Sequence, residues 1–285
     1  MWKFLENHVN LSEKRYTSID ELKEDPPKAD VYITGSDQVW NSIWNDGIDR
    51  SFFLDFVPNG KKKIAFSASI GRTEFDKNEI SITKELLQKY SAISVREDSA
   101  VELLQSIGID SQLILDPTLM LTREEWEKVS KKGKTTKPFL MVYQLNPNPE
   151  MDHYAVNLAR EKGWDVIRVG FGRSDKKKPG KCVMTPSVEA FVGMFFQTEC
   201  VLTDSFHATA MSLNIGTDFI TVKPKKFSTR IESILKLTGS ENRLLENYRD
   251  YSILDKQLDF DDISKIICER RIDGFRWLRE ALGNA

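Results

Sequence analysis

The sequence has few of the residues that mark several familiar protein classes. Its three cysteines are widely spaced and form no C-x-x-C pair, which argues against a disulfide framework or a zinc site and indicates a reducing compartment. Its three histidines form no H-E-x-x-H pattern, so a histidine-rich metal centre is not expected. The first residues lack the apolar segment of a signal peptide, and no stretch approaches the roughly 18 apolar residues of a membrane span. We therefore predict a cytoplasmic protein without a bound metal or a transmembrane segment.

The chain also lacks an excess of charge of one sign. It has 41 basic and 43 acidic residues among 285, a formal net charge of -2. No overall field favours DNA, RNA or an anionic membrane, so we expect no nucleic-acid partner. Any anion site must be local. With 40% hydrophobic and 29% charged residues, the composition is that of an ordinary globular protein.

Short apolar segments rich in β-branched residues alternate with helical periodicity, which is the pattern of βα units around a mainly parallel sheet. Strands are predicted at 31–34, 64–67, 92–95, 112–115, 139–143, 165–169, 200–203 and 219–222. Helices are predicted at 79–90, 98–107, 152–162, 207–214, 227–237 and 261–282. A polar stretch at 131–138 interrupts the pattern, so we predict two α/β domains, residues 1–134 and 135–285.

The loop after the first predicted strand is a candidate site, because ligands of open α/β sheets bind beyond the carboxyl ends of strands. Gly35 permits close backbone approach, and Ser36 or Asp37 can cap a helix. In a binding role, polar side chains here grip sugar hydroxyls and a tryptophan stacks on the sugar ring; the candidates are Asp37, Gln38, Trp40 and Trp44. The alternative is a capped helix with buried tryptophans.

Three later segments contain further candidates. Arg96 follows a predicted strand, where it either binds an anion beside helix N–H groups or forms a salt bridge to its acidic neighbours. In the segment 203–207, Asp204 or Ser205 can cap the next helix, and His207 enters its first turn as either an anion contact or a structural residue. A basic cluster follows the last predicted strand and is either an anion site or a solvated face: Lys223, Lys225, Lys226 and Arg230.

Three segments taken together, ADVYITGSDQVWN at 29–41, ISVRED at 93–98 and DSFH at 204–207, resemble the polysaccharide pyruvyl transferase family. Segments at 53–57, 67–71 and 115–119 also look like this family, so the resemblance covers most of the chain. It implies two Rossmann-like domains facing a cleft, similar to B-type glycosyltransferases. It also implies phosphoenolpyruvate as donor substrate, no further cofactor, and a cyclic pyruvate ketal on a saccharide or lipid-linked glycan acceptor.

The resemblance implies a role for each matched residue. His207 is expected to be the general acid that protonates the enol methylene, and Arg96 to clamp the donor carboxylate or phosphate. Asp37 is expected to orient or deprotonate the acceptor hydroxyl. The resemblance also implies donor contacts near Ser205 and acceptor contacts at Gly35, Ser36 and Gln38. From residue type and position, Lys223 and Arg230 are expected as further donor contacts and Trp40 as a further acceptor contact.

The chain departs from the family pattern at three points. Ser205 and Phe206 stand where many members carry an arginine shortly before the histidine, and Ala208 replaces a frequent glycine. The usual opening β-strand, with its Asn-Tyr-Gly-like loop, has no counterpart before Trp2. The resemblance therefore implies a first domain without its opening βα unit, whose exposed sheet a second copy of the chain can cover in a homo-oligomer. A nucleotide-sugar glycosyltransferase and a non-catalytic saccharide-binding or assembly protein are the alternative functions.

Overall fold

The computed structural model describes residues 2–224 and 228–283. The chain divides into two compact units. We call Leu5–Met120 with the end of the chain from Glu269 the N-terminal unit, and Leu121–Cys268 with the first residues the C-terminal unit. The sequence-based division after residue 134 differs from this grouping in the assignment of 121–134 and of the end of the last helix.

The secondary structure alternates strongly between strands and helices. The first part of the chain forms α1 (Trp2–His8), α2 (Ile19–Glu24), β1 (Val31–Thr34), β2 (Lys62–Ala68), α3 (Ile80–Leu87), β3 (Ala92–Val95), α4 (Asp98–Ser106) and β4 (Gln112–Leu113). The rest forms α5 (Arg123–Val129), β5 (Phe139–Tyr143), α6 (Pro149–Lys162), β6 (Asp165–Gly170), β7 (Lys181–Met184), α7 (Val188–Phe195), β8 (Cys200–Thr203), α8 (Phe206–Ile215), β9 (Phe219–Val222), α9 (Thr229–Thr238), β10 (Leu244–Leu245) and α10 (Phe260–Leu282).

The N-terminal unit is built on a four-stranded parallel sheet in the order β1-β2-β3-β4. One core contains buried side chains from the strands and from α3 and α4, among them Ala65, Val95, Leu86 and Leu104. A separate cluster joins Trp277 of α10 to Ile64 and Ile114. The C-terminal part of α10 therefore packs against this sheet.

The C-terminal unit is built on a six-stranded parallel sheet in the order β10-β9-β8-β5-β6-β7. The chain starts in the middle at β5, adds β6 and β7 on one side, and then crosses to β8 on the other. This is the doubly wound order, and the topological switch point lies between β5 and β8. Ligands of such sheets bind at the carboxyl ends of these two strands.

The local sequence explains the helix that begins at this point. Ser205 is the N-cap of α8, since it has extended backbone angles and its side chain accepts from the Ala208 N–H. Gly216 ends the helix in the left-handed conformation at φ 73°, where glycine is favoured. All but two of the helical positions are buried, so α8 is a core helix whose N-terminus lies at the switch point.

The predicted α/β class with parallel sheets is confirmed. All eight predicted strands form, whereas β7 and β10 were not predicted. The helix predicted at 227–237 starts at a residue outside the described part of the chain, and its described part is α9. Within the described residues, no helix has the length and apolarity needed to cross a membrane.

Candidate active site

Arg96 lies at the centre of a buried ion-pair cluster in the N-terminal unit. Its guanidinium donates to the Asp116 carboxylate, to Asp37 Oδ1 at 2.8 Å and to Ser36 Oγ at 3.2 Å. The Arg96 side chain is fully buried, whereas Asp37 is 66% exposed. Burial opposes the charge, but Asp116, Glu97 and Asp37 outweigh it and raise the pKa of Arg96 above its ordinary value. The cluster thus holds a permanent cation beneath an exposed carboxylate.

The parallel sheet explains why these residues meet. Ser36 and Asp37 follow β1, Arg96 follows β3, and Asp116 follows β4, so all of them lie at one carboxyl edge. The Ser36 hydroxyl also lies 3.0 Å from Asp116 Oδ2 and 2.9 Å from the Ser67 carbonyl oxygen. The other oxygen of Asp116 accepts from the Thr118 N–H and hydroxyl at 2.8 and 2.6 Å. The predicted residues Ser36, Asp37 and Arg96 are therefore brought together, and Asp116 is a member of the cluster that sequence reasoning missed.

Glu97 forms a second layer behind Arg96. Its Oε1 accepts from the Ser69 hydroxyl and from the N–H groups of Ile70 and Gly71, each at 2.9 Å. Its Oε2 lies 3.9 Å from Arg96 Nε. Burial raises the pKa of Glu97, although these contacts favour its charged form. Of the two predicted roles for Arg96, ion pairing is observed, with Asp37 and Asp116 closer than the neighbouring Glu97.

Gly35 and Gln38 shape the loop that follows β1. Gly35 has φ +119°, and a Cβ atom there would lie 2.1 Å from the Phe66 carbonyl oxygen, so only glycine fits. Gln38 Oε1 accepts from Asn41 Nδ2 at 2.6 Å, and a Cβ atom on Gly71 would lie 2.3 Å from the same oxygen. Gly35 thus lets this loop pass close to strand β2, and Gln38 lies against Gly71 in the loop after β2.

The two tryptophans of the first loop differ in exposure. Trp40 is 4% exposed, stacks on Phe53 with ring centroids 5.7 Å apart, and donates its indole N–H to the Phe52 carbonyl oxygen at 3.3 Å. Trp44 is 69% exposed. Because the Trp40 ring is enclosed, it offers no face to a sugar. We therefore assign Trp40 to the core, the structural alternative given above, and do not carry it into the proposed site.

Asp204 ties two loops together across the switch point of the C-terminal unit. Its carboxylate is nearly buried and accepts from the Leu145 N–H at 2.7 Å, the Asn146 N–H at 2.9 Å and Asn146 Nδ2 at 2.8 Å. Asp204 follows β8, and the two donor residues follow β5. Sequence reasoning considered Asp204 only as a helix cap, because the adjacency of β5 and β8 is not visible in the sequence. The capping residue is Ser205.

His207 occupies the first turn of α8 and is half-buried. Its ring centroid lies 5.4 Å from that of Phe206, and the guanidinium carbon of Arg230 lies 5.6 Å from the same Phe206 ring. This separation is within the range of a cation–π contact. Two predicted donor residues thus border one aromatic ring at a helix N-terminus, which favours anions. α9 thus brings the guanidinium of Arg230 to the Phe206 ring.

The lysines of the predicted basic cluster add less to the candidate anion site than Arg230 does. Lys223 Nζ lies 2.6 Å from Glu232 Oε1, and this contact lowers the pKa of that carboxyl group. Lys225 and Lys226 lie outside the described residues. Within 2–224 and 228–283, no group of three or more histidine, cysteine, aspartate and glutamate side chains is placed to hold a metal ion.

The fold class follows from comparison with solved structures. A UDP-N-acetylglucosamine 2-epimerase from Rickettsia bellii superimposes with a TM-score of 0.61 at 12% identity, covering 93% of this chain and 76% of that one. A putative UDP-N-acetylglucosamine 2-epimerase from Listeria monocytogenes gives 0.57 at 11% identity, covering 92% and 75%. Anabaena HepE in complex with UDP and glucose gives 0.50 at 9% identity, covering 93% and 80%. At these identities the likeness shows the fold alone, an α/β class with two Rossmann-like domains.

The family follows from the sequence model that the chain matches. The model of the polysaccharide pyruvyl transferases matches residues 2–225. The chain therefore belongs to the polysaccharide pyruvyl transferase family, which confirms the resemblance. A search of curated proteins returned no significant match.

Proposed function

We propose that the chain transfers the enolpyruvyl-derived group of phosphoenolpyruvate to two hydroxyls of a saccharide or lipid-linked glycan, which forms a cyclic pyruvate ketal and releases inorganic phosphate. Membership of the family supports this reaction class. The observation that carries the proposal is the N-terminus of α8, where a half-buried histidine and an arginine border one buried ring. The widely spaced cysteines support a cytoplasmic location for the reaction.

The donor is a dianion or trianion, and the α8 N-terminus has the chemistry to bind it. The first N–H groups of a helix have no partner within the helix, and their dipoles favour a phosphate or carboxylate. Arg230 adds a guanidinium, which binds such groups bidentately. Ser205 holds the helix start in place as its N-cap, and Lys223 adds an outer cation that Glu232 partly offsets.

His207 serves as the general acid in this proposal. Its imidazolium gives a proton to the methylene carbon, and the electrons of the C=C bond form the new C–H bond of a methyl group. The adjacent carbon becomes oxocarbenium-like, and one acceptor hydroxyl attacks it and loses its proton. The second hydroxyl then attacks the same carbon and loses its proton, while the C–O bond to phosphate breaks and phosphate leaves with the electron pair. One proton enters at carbon and two leave from the hydroxyls, of which one restores the imidazolium of His207 and the other departs with phosphate as hydrogen phosphate.

Asp37 serves the acceptor in this proposal. Its carboxylate is exposed and can accept a hydrogen bond from a sugar hydroxyl, while Ser36 and Gln38 lie on the same loop. Arg96 is surrounded by carboxylates of the protein, so we revise its proposed role from donor clamp to support of Asp37. Gly35 contributes by its close backbone approach to the neighbouring strand.

The test follows phosphate release and acceptor mass after incubation with phosphoenolpyruvate and candidate glycans. We expect His207→Ala to slow acceptor-dependent phosphate release by about 100-fold or more, because general acids contribute about 10²–10⁴-fold. His153→Ala is the matched control, since His153 is exposed on α6 of the same unit and should leave the rate unchanged. An unchanged rate in His207→Ala would contradict the assignment of the acid.

The same protein also tests the alternative functions. Turnover of a nucleotide sugar without phosphoenolpyruvate would indicate a glycosyltransferase instead. Glycan binding without turnover would indicate a binding protein.

A further inference from the structure

An exposed aromatic side chain lies beside the switch point of the C-terminal unit. Phe171 directly follows β6 and is 52% exposed. Its ring centroid lies 5.7 Å from that of Tyr143, the last residue of β5, with the two rings nearly perpendicular. Tyr143 pairs with Val169 of β6 on one side and with Thr203 of β8 on the other. Phe171 therefore lies on the same carboxyl edge as the loop that leads to His207.

The backbone of Phe171 is held by its own loop. The Asp175 carboxylate accepts from the Phe171 N–H at 2.9 Å and from the Gly172 N–H at 3.0 Å. Lys178 Nζ lies 3.0 Å from Asp175 and donates to Gln144 Oε1 at 3.1 Å, which joins this loop to the one after β5. The backbone N–H bonds, Phe171 first, lower the pKa of Asp175 to about 2. The contacts of Asp175 therefore hold the loop backbone from which the ring projects.

Strand β6, which leads to this ring, has no room for a side chain at its last residue. A Cβ atom on Gly170, the last residue of β6, would lie 2.5 Å from Cys182 Sγ and 2.9 Å from Met184 Sδ. The strand end is therefore packed tightly against β7. Exposing a large aromatic side chain forgoes the stabilisation that burial would give. Phe171 does so at the carboxyl edge of the sheet, where ligands of such folds bind.

We propose that Phe171, supported by Tyr143, is a stacking platform for a pyranose ring of the acceptor, an inference that rests on the proposed saccharide substrate. One face of a pyranose is rich in C–H groups and packs on an aromatic ring, while its hydroxyls need polar partners at the border. Asn146 provides such a border, since it is exposed on the adjoining loop and its amide nitrogen is fixed to Asp204. The rings of Phe and Tyr also lose little conformational freedom on binding, which favours them as contacts for a weakly held sugar.

Saturation-transfer NMR with the whole protein tests this inference. The probes are the methyl β-glycosides of glucose, galactose and N-acetylmannosamine, together with UMP. We expect transfer to the C–H protons of one pyranose face, and about five- to tenfold weaker glycoside binding in Phe171→Ala, as for loss of one aromatic contact. Phe171→Trp should retain binding. Phe275→Ala is the matched control, because Phe275 is 44% exposed on α10 and should not affect binding.

Each outcome decides the inference. Equal glycoside binding by Phe171→Ala and the unchanged protein would overturn it, as would the absence of transfer to all three glycosides. A loss of UMP binding alone in Phe171→Ala would show a nucleobase platform and also overturn it. The assay needs neither phosphoenolpyruvate nor phosphate release. Glycoside stacking without ketal formation would thus refute the proposed reaction but support the platform. Ketal formation that Phe171→Ala leaves unchanged would support the reaction but refute the platform.

Discussion

At the carboxyl edge of each sheet, a buried charged side chain connects neighbouring loops, and the two charges have opposite signs. At the N-terminal sheet, the buried cation Arg96 joins loops through Asp37 and Asp116. At the C-terminal sheet, the buried anion Asp204 joins loops through N–H donors. The first arrangement leaves a carboxylate, Asp37, at the surface, whereas the second leaves a helix N-terminus and His207. A buried charge needs compensation from its surroundings. The sign of the buried charge therefore helps to decide which groups remain at the surface: a carboxylate that suits a hydroxyl, or N–H groups that suit an anion.

The largest expected effect comes from removing the cation of the N-terminal edge. Arg96→Met should lower the free energy of unfolding by about 3–5 kcal/mol, because Asp116 would remain buried without its principal positive partner. Urea denaturation measures the loss. Arg276→Met is the control, since Arg276 pairs with Asp273 on an exposed face of α10 and should cost less than about 1 kcal/mol. Equal losses in the two variants would show that the Arg96 cluster is no more important than a surface ion pair.

A smaller effect is expected at the C-terminal edge, where the buried charge is held by hydrogen bonds. Asp204→Asn should lower the free energy of unfolding by about 1–3 kcal/mol, since an amide cannot accept all three bonds and brings donors of its own. Hydrogen exchange at the amides of residues 145 and 146 should accelerate in the variant. Asp250→Asn is the control, because the Asp250 carboxylate is exposed and accepts from the Ser252 N–H and hydroxyl. If the amides of residues 145 and 146 stay equally protected from exchange in Asp204→Asn, the Asp204 carboxylate does not connect these loops as proposed.

The smallest effect concerns the loop that carries Phe171. The folded pKa of Asp175 lies near 2, below its ordinary value of 3.8, so its stabilising contribution is complete above the ordinary value and is lost as the pH falls towards 2. The amide proton shifts of Phe171 and Gly172 should therefore titrate with a midpoint of about 2. A midpoint near 3.8 would show that the carboxylate does not hold the loop. Asp175→Asn should abolish this titration.

Much of the fold follows from local pattern. Alternating apolar segments predicted eight of the strands, because β-branched residues between turn residues leave few alternatives. The strands that escaped prediction are short and lie at the sheet edges. β7 reads Lys-Cys-Val-Met, with a lysine at its start, and β10 has two residues. Their formation depends on a neighbouring strand rather than on their own composition.

The contacts of the site residues were harder to predict from the sequence than the strands. Position after a strand made Asp37, Arg96 and His207 candidates, since the carboxyl edge is common to every strand of a parallel sheet, and the family resemblance gave them their expected roles. Their partners depend on strand order. Asp116 meets Arg96 because β4 adjoins β3, and Asp204 meets the loop after β5 because β5 adjoins β8. Such contacts join residues that are distant in sequence, and local pattern contains no information about them.

In a variant that keeps Trp40 and replaces the other five tryptophans, the enclosed Trp40 ring makes the loop after β1 observable by fluorescence. Its backbone N–H donates to the Ser69 carbonyl oxygen and its indole to that of Phe52, so its surroundings are fixed by two neighbouring segments. The ring lies within the core, while Asp37 three residues earlier is exposed. An acceptor bound at Asp37 would not touch the indole. In that variant, a change in emission on adding a glycan would therefore report movement of the loop rather than direct contact. A second variant that keeps only the exposed Trp44 would report the contact.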